Sequence, residues 1–172
     1  LAQRVCDRYV EHGIEILHFN DDLGDTHGPF VAPGLFKRLV VPRFKNLFNR
    51  YHSKGVKILL HADGAITPLL PDLIDCGIDA LNPLDTTAGV SLEHVKENFG
   101  DRISLFGGVD ENILFLGTPQ QVAETVREDL NIAAPGGGYI LGSGAANILK
   151  GVPIANFLAM IETGKKYGRY HS

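Results

Sequence analysis

The segment His61-Ala62-Asp63 places two side chains that can bind a metal directly after an apolar run over residues 56–60. Side chains alternate between the two faces of a β-strand, so His61 and Asp63 would share one face. An imidazole and a carboxylate together suit zinc or another divalent cation. A His–Asp pair that is hydrogen-bonded only to hold a loop is the alternative. We interpret His61 and Asp63 as catalytic residues and as metal ligands.

The richest polar segment covers residues 20–28 and carries three aspartates and a histidine. Unpaired carboxylates this close repel one another, so some should be protonated, metal-bound or hydrogen-bonded to backbone amides. A solvated loop whose aspartates form turns is the alternative. We predict a catalytic role for Asp22, and we predict substrate contacts for Asn20, Asp21 and His27.

Three more polar side chains follow short apolar runs. Asn82 precedes a proline, where a turn or a substrate contact would fit. Asp110 follows two glycines, which permit a tight turn or let a ligand approach the backbone closely. Ser143 lies between two glycines. We predict substrate contacts for all three residues.

These polar segments all follow predicted strands, which cover residues 14–19, 56–60, 80–81, 103–106 and 139–141. The strands are apolar on both faces, which is typical of strands that are covered on both sides. Amphipathic helices fill the gaps between them. Strands that alternate with helices predict a parallel sheet with right-handed crossovers. The polar segments would then meet at the carboxyl ends of the strands.

The helix boundaries follow from prolines and glycines. The longest predicted helix spans 33–54 and contains Pro42, which removes a backbone donor and should kink or break it. Thr118 begins a capping box with a proline at the first helical position. Left-handed glycines are predicted to end helices at Gly13, Gly55, Gly77, Gly100 and Gly168.

The choice of architecture lies between an open doubly wound sheet and a barrel. The open sheet usually carries a glycine loop after a strand, whereas the three glycines at 136–138 precede one. Polar or glycine-rich residues follow every predicted strand, which is typical of the catalytic face of a barrel. We assign residues 1–172 to one α/β domain of (β/α)8 TIM-barrel type. A full barrel needs about 250 residues, so this chain would cover about five β/α units, a partial barrel.

The composition limits the classes of partner that this protein could bind. A net charge of −4 without a block of like charges argues against nucleic acid and against an anionic membrane surface. No apolar run approaches the roughly 20 residues of a membrane span. The cysteines Cys6 and Cys76 form no metal or disulfide motif, so a reduced, cytoplasmic setting is expected.

Six short motifs, in order, resemble the uroporphyrinogen decarboxylase superfamily, which includes the decarboxylase and corrinoid-linked methyltransferases. They are Asp21-Asp22-Leu23-Gly24, His61-Ala62-Asp63-Gly64, Asn82-Pro83-Leu84, Gly107-Gly108-Val109-Asp110, Gly138-Tyr139-Ile140-Leu141 and Val152-Pro153-Ile154-Ala155-Asn156-Phe157-Leu158-Ala159-Met160. The resemblance covers nearly the whole chain. It implies that these strands are the fourth to eighth of the barrel and that the first three are missing.

Neither branch of the superfamily fits fully. Decarboxylases carry Asp-Ser-Trp, Gly-Asn-Leu-Asp and Leu-Gly-His-Gly motifs, and this chain departs from all three. Zinc methyltransferases carry His-x-Cys and a later cysteine. This chain has His61 at the histidine position of that motif and Asp63 at the position of the first cysteine. It has no cysteine near Ser143. The resemblance therefore implies a site with more oxygen ligands than that of those methyltransferases.

The charges after the predicted strands favour the methyltransferase branch. They comprise carboxylates and histidines without Lys or Arg, which suits a metal and does not suit a polyanionic porphyrinogen. We predict an enzyme that moves a methyl group from a small-molecule donor to a corrinoid (cobalamin) carried by a partner protein, with zinc or another divalent metal. The alternatives are uroporphyrinogen decarboxylation in tetrapyrrole biosynthesis and a non-catalytic barrel fragment.

Five strands cannot close a barrel, because closure fixes strand number, tilt and stagger together. The first and last strands would therefore be edges that recruit other chains. We predict a homodimer or pairing with the missing N-terminal segment. A small distorted barrel, in which the last strand pairs with the first, is the alternative.

Overall fold

The computed structural model describes residues 2–145, 148 and 150–169. The strands are β1 (Ile16–Asn20), β2 (Gly24–Asp25), β3 (Gly28–Pro29), β4 (Lys57–His61), β5 (Ala80–Asn82), β6 (Ser104–Phe106) and β7 (Tyr139–Ile140). The helices are α1 (Ala2–Glu11), α2 (Pro33–Leu39), α3 (Val41–His52), α4 (Leu70–Asp75), α5 (Leu92–Phe99), α6 (Glu111–Leu116), α7 (Pro119–Ala133) and α8 (Ile154–Tyr167). None of these helices is long and apolar enough to cross a bilayer.

Five of the strands form one parallel sheet in the order β1-β4-β5-β6-β7. These are the five strands predicted from the sequence, with ends that differ by one or two residues. Both the α/β class and the partial (β/α) barrel are therefore confirmed. Within the described ranges β1 and β7 lie at opposite edges and do not pair, so the small closed barrel is wrong.

The two faces of the sheet differ in burial. Leu17, Ile58 and Leu105 point to one face and pack with helix side chains in a single core. On the other face Ile16 is 59% exposed and Ile140 is 49% exposed. This face is open because the five described strands leave the inner face of the barrel without an opposite wall.

The predicted helix boundaries are confirmed in part. α2 ends at Leu39 and α3 begins at Val41, so the long helix breaks beside Pro42 as expected. The capping box at Thr118 is present. Gly13, Gly55 and Gly77 are left-handed, with φ of 84°, 77° and 99°.

The left-handed prediction is wrong at the other two helix ends. Gly100 has φ −67° and Gly168 has φ −86°. Glycine fits these two helix ends for a steric reason, because a Cβ there would lie too close to a backbone carbonyl oxygen of the preceding turn.

Candidate active site

Two loops at the carboxyl end of the sheet are held against each other by backbone contacts. The Asp21 amide donates to the His61 carbonyl at 3.1 Å, and the Ala65 amide donates to the Asp25 carbonyl at 2.8 Å. Gly64, at φ +96°, lies so close to Gly24 that a Cβ would collide with the Gly24 backbone. The loop after β1 is therefore fixed over the end of β4.

This arrangement brings Asp22, His61 and Asp63 together. His61 Nε2 lies 3.4 Å from Asp22 Oδ1 and 3.4 Å from Asp63 Oδ2. One ligand atom from each residue lies within 4.8 Å of the other two. The His61 side chain is 4% exposed, whereas those of Asp22 and Asp63 are 56% and 39% exposed. The cluster is buried on the histidine side and open to solvent on the carboxylate side.

Asn82 lies behind His61, on the neighbouring strand. Its Oδ1 is 3.1 Å from His61 Nδ1, and its Nδ2 donates to the Phe106 carbonyl at 3.4 Å. Both His61 and Asn82 are buried. The Asn82 amide thus contacts His61 and Phe106 within the protein, whereas the sequence predicted that it contacts substrate.

Further carboxylates surround the cluster, and two of them hold turns. Asp85 accepts from the amides of Gly64 and Ala88, at 3.1 and 3.0 Å. Asp110 caps α6, where it accepts from the amides of residues 112 and 113 at 2.7 and 3.2 Å. The substrate contact predicted for Asp110 would have to share a carboxylate that already caps a helix.

The electrostatics of this region are acidic. Burial raises the pKa of Asp63, and the carboxylates of Asp22 and Asp85 add to the rise while His61 opposes it. Burial also raises the pKa of Glu111, together with the carboxylates of Asp85, Asp63 and Asp110. No Lys or Arg forms a salt bridge with Asp22 or Asp63 in the described part of the chain.

The other predicted substrate-contacting residues are dispersed. Asn20 and Asp21 are exposed at the end of β1, beside the cluster. His27 lies on the exposed β2–β3 hairpin, where its ring contacts Asp25 at 3.6 Å. Ser143 is buried, and its hydroxyl donates to the Ala145 carbonyl at 3.0 Å.

His18 was not singled out from the sequence, yet it lies beside the cluster. It is on the open face of β1, and its ring centroid is 6.1 Å from that of His61 in an edge-on arrangement. Burial, followed by the proximity of His61, lowers the pKa of His18. The signal was present, because His18 shares a face with Asn20 at a spacing of two residues.

The donor atoms of the cluster fit a divalent metal. One imidazole nitrogen and two carboxylate oxygens are ordinary ligands of zinc and of harder divalent ions. Cys76 is buried beyond α4, its Sγ contacts the Val41 carbonyl, and burial raises its pKa to about 11. Cys6 lies on α1. The described site therefore offers nitrogen and oxygen ligands, and no thiolate.

Two curated relatives are methylcobamide:CoM methyltransferases MtaA of Methanosarcina barkeri, one of them from strain Fusaro / DSM 804. That relative is 25% identical over 158 residues, which are 92% of this chain and 43% of the relative. The other is 24% identical, with the same coverage. The chain thus spans less than half the length of these relatives.

The fold and the family are shown by two further matches. A solved methyltransferase from Methanosarcina mazei superposes with a TM-score of 0.69 over 93% of this chain and 44% of that chain, at 23% identity. The family model for uroporphyrinogen decarboxylase (URO-D) matches residues 2–167, nearly the whole chain. The chain therefore belongs to the uroporphyrinogen decarboxylase family.

Proposed function

We propose that this chain carries the metal-binding half of a corrinoid-linked methyltransferase. The observation that carries the proposal is the convergence of Asp22, His61 and Asp63 at the open end of the sheet. The sequence predicts transfer from a small-molecule donor to the corrinoid. The relatives are named for a methylcobamide and CoM. Polarisation of a small molecule's heteroatom assists methyl transfer in either direction, so both directions belong to the proposal.

The proposed metal ligands are His61, Asp63 and Asp22; the sequence assigned the first two to a metal and predicted a catalytic role for Asp22. A divalent ion bound there supplies a Lewis acid for the oxygen or sulfur that loses or gains the methyl group. The burial of His61 fixes one ligand, and the exposed sides of the two carboxylates leave an approach for the heteroatom. Asn20 and Asp21, exposed beside the cluster, are the proposed contacts for the rest of the small molecule.

The proposed partners are the small molecule and a protein-bound corrinoid. The acidic surroundings of the site support this choice over a porphyrinogen, because Asp85 and Glu111 add negative charge around Asp63. Repulsion from these groups would oppose the binding of a substrate with many carboxylates. We also propose that the open face of the sheet is completed by a second copy or by an N-terminal segment.

Metal analysis tests the proposed site. The purified protein should hold about one divalent ion per chain, and His61→Ala and Asp63→Ala should each lose it. His94→Ala, which removes an exposed histidine of α5, is the matched control and should keep the ion. Equal metal content in all four proteins would eliminate the site.

Turnover tests the proposed reaction. The protein is incubated with methylcobalamin and coenzyme M, together with its N-terminal segment where the full chain has one. The absorbance of the corrinoid is followed with time. We expect conversion by the wild type and a loss of roughly 100-fold in Asp63→Ala, because a metal Lewis acid stabilises the transition state by several kcal/mol. Decarboxylation of uroporphyrinogen instead would establish the alternative activity.

A further inference from the structure

We infer that Asn82 is a positioning residue that fixes the tautomer of His61, so that Nε2 keeps a free lone pair for a cation. This inference rests on the proposed metal-binding role of His61 and assigns the residue that prepares it. The sequence alone assigned Asn82 to a turn or a substrate contact. The tautomer of His61 follows from which atom of the Asn82 amide donates and which accepts.

The orientation of the Asn82 amide follows from its second partner. The Phe106 carbonyl can only accept, so the Asn82 atom that faces it at 3.4 Å is the donor Nδ2. The acceptor Oδ1 is then the atom that lies 3.1 Å from His61 Nδ1. Because Oδ1 can only accept, Nδ1 of His61 must carry a proton. Asn82 and His61 are 5% and 3% exposed, so little water competes for this hydrogen bond.

A neutral His61 ring with its proton on Nδ1 has a lone pair on Nε2. That lone pair faces Asp22 Oδ1 and Asp63 Oδ2, each at 3.4 Å. Three acceptor atoms that face one another repel unless a positive charge lies between them. The arrangement that Asn82 imposes on the neutral ring therefore suits a bound cation.

The alternative role of the cluster requires the opposite tautomer. A neutral His61 that only held the loop by hydrogen-bonding Asp22 or Asp63 would need its proton on Nε2. Nδ1 would then be an acceptor opposite the acceptor Oδ1 of Asn82, and that contact would be repulsive. Asn82 thus disfavours the loop-holding role of the neutral ring and favours the ligand role, as partners of metal-bound histidines generally do.

The sheet itself holds Asn82 in place. The register of β4 and β5 pairs His61 with Asn82, and the Ala62 amide donates to the Asn82 carbonyl at 2.8 Å. Both side chains therefore project from paired strands to the same face. A partner carried by a strand is held more accurately than one carried by a loop.

Zinc affinity, measured by competition with a chelator, tests the inference. Asn82→Leu removes the acceptor at similar volume and should weaken Zn²⁺ binding by about 10- to 100-fold. Asn82→Asp keeps an acceptor facing Nδ1, although it loses the donor to the Phe106 carbonyl, and should bind Zn²⁺ more tightly than Asn82→Leu. Asn156→Leu is the matched control, since Asn156 is also buried and donates to the carbonyls of Leu114 and Gly117. This control should leave Zn²⁺ affinity unchanged.

Nitrogen NMR of the histidine rings gives a readout without metal. With the imidazole neutral, at alkaline pH, His61 should carry its proton on Nδ1 in the metal-free wild type and in Asn82→Asp. A mixture of tautomers is expected in Asn82→Leu. A proton on Nε2 in the wild type, or wild-type Zn²⁺ affinity in Asn82→Leu, would overturn the inference.

The two proposals fail in different ways. If the wild type binds no Zn²⁺, the proposed metal-binding role of His61 is wrong. The tautomer of His61 in the NMR spectrum would still show whether Asn82 fixes the proton on Nδ1. If Asn82→Leu does not fold, the wild type and Asn82→Asp spectra remain decisive, because both must show the Nδ1 proton.

Discussion

Asp129 on α7 differs from the carboxylates around the proposed metal site, because its Oδ2 atom is buried without a hydrogen-bond partner among the residues that the structure describes. Burial, with the nearby carboxylates of Glu128 and Asp110, raises its pKa to about 7. The pKa of Asp79 is shifted in the opposite direction. Hydrogen bonds from Lys57, the Ile58 amide and His52 outweigh its burial and lower its pKa. Hydrogen-bond donors, more than burial alone, separate these two aspartates.

The raised pKa of Asp129 predicts a stability that falls with pH. The folded state keeps the proton up to about pH 7, whereas the unfolded state releases it at the ordinary aspartate pKa of 3.8. The contribution of Asp129 is therefore fully present below pH 3.8 and is lost as the pH rises through about 7. Asp129→Asn removes the charge, so at pH 8 we expect its free energy of unfolding to exceed that of the wild type by about 1–2 kcal/mol.

Urea unfolding at pH 5 and pH 8 measures this effect. Glu162→Gln changes an exposed carboxylate of α8 that does not contribute to the raised pKa of Asp129, and it serves as the control, with a stability change within about 0.5 kcal/mol. The same decrease in stability between pH 5 and pH 8 for the wild type and Asp129→Asn would show that Asp129 does not titrate in this range.

At the scale of the elements, the site depends on the loop after β1 lying against the loop after β4. Gly64 makes this possible, because a Cβ at that position would collide with the Gly24 backbone. The short antiparallel β2–β3 hairpin follows this loop before α2 begins. Asp22 reaches His61 only because this loop packs as it does.

Gly64→Ala should therefore disturb the site. The alanine would be strained at φ +96° and would collide with the Gly24 backbone. We expect a loss of about 1–3 kcal/mol in stability and at least about tenfold weaker Zn²⁺ binding, since the loop that carries Asp22 must move. Gly55→Ala is the matched control, because Gly55 is also left-handed, at φ +77°, but has open space around it.

Calorimetry for Zn²⁺ binding and thermal unfolding separate the two effects. Gly55→Ala should lose stability, as any alanine in this conformation does, and should bind Zn²⁺ like the wild type. Wild-type Zn²⁺ affinity in Gly64→Ala would mean that Asp22 is not positioned by this contact.

The sequence predicts the strands and helices more completely than it predicts the proposed metal site. Apolar runs and caps are local signals, and they located all five strands and the break beside Pro42. The β2–β3 hairpin was missed because each of its strands has two residues, and its position depends on packing against Gly64. Local alternation placed His61 and Asp63 on one face. The addition of Asp22, and the contact of Asn82 with His61, depend on tertiary packing and strand register.

At the scale of the whole molecule, the sheet formed by the described residues has two unpaired edges and one open face. Ile16 on β1 and Ile140 on β7 project from this face at opposite edges and are both largely exposed. Two exposed apolar side chains on α8, Ile154 at 76% and Leu158 at 47%, add to the apolar surface. Edges and faces of this kind associate with other chains unless something covers them.

We therefore predict that these 172 residues alone do not behave as an isolated monomer. Pairing with a second copy, or with an N-terminal segment that supplies further strands, would satisfy the backbone groups of β1 and β7 and bury Ile16 and Ile140. Sedimentation velocity at about 1 μM should show a dimer or larger species, because edge pairing and apolar burial reinforce each other. Ile16→Lys should weaken this association by roughly tenfold or more, since it places a charge beside the edge. Leu35→Lys, at a partly exposed position on α2, should leave it unchanged. A stable monomer with cooperative unfolding would show that five strands suffice, and would contradict the argument from the open edges.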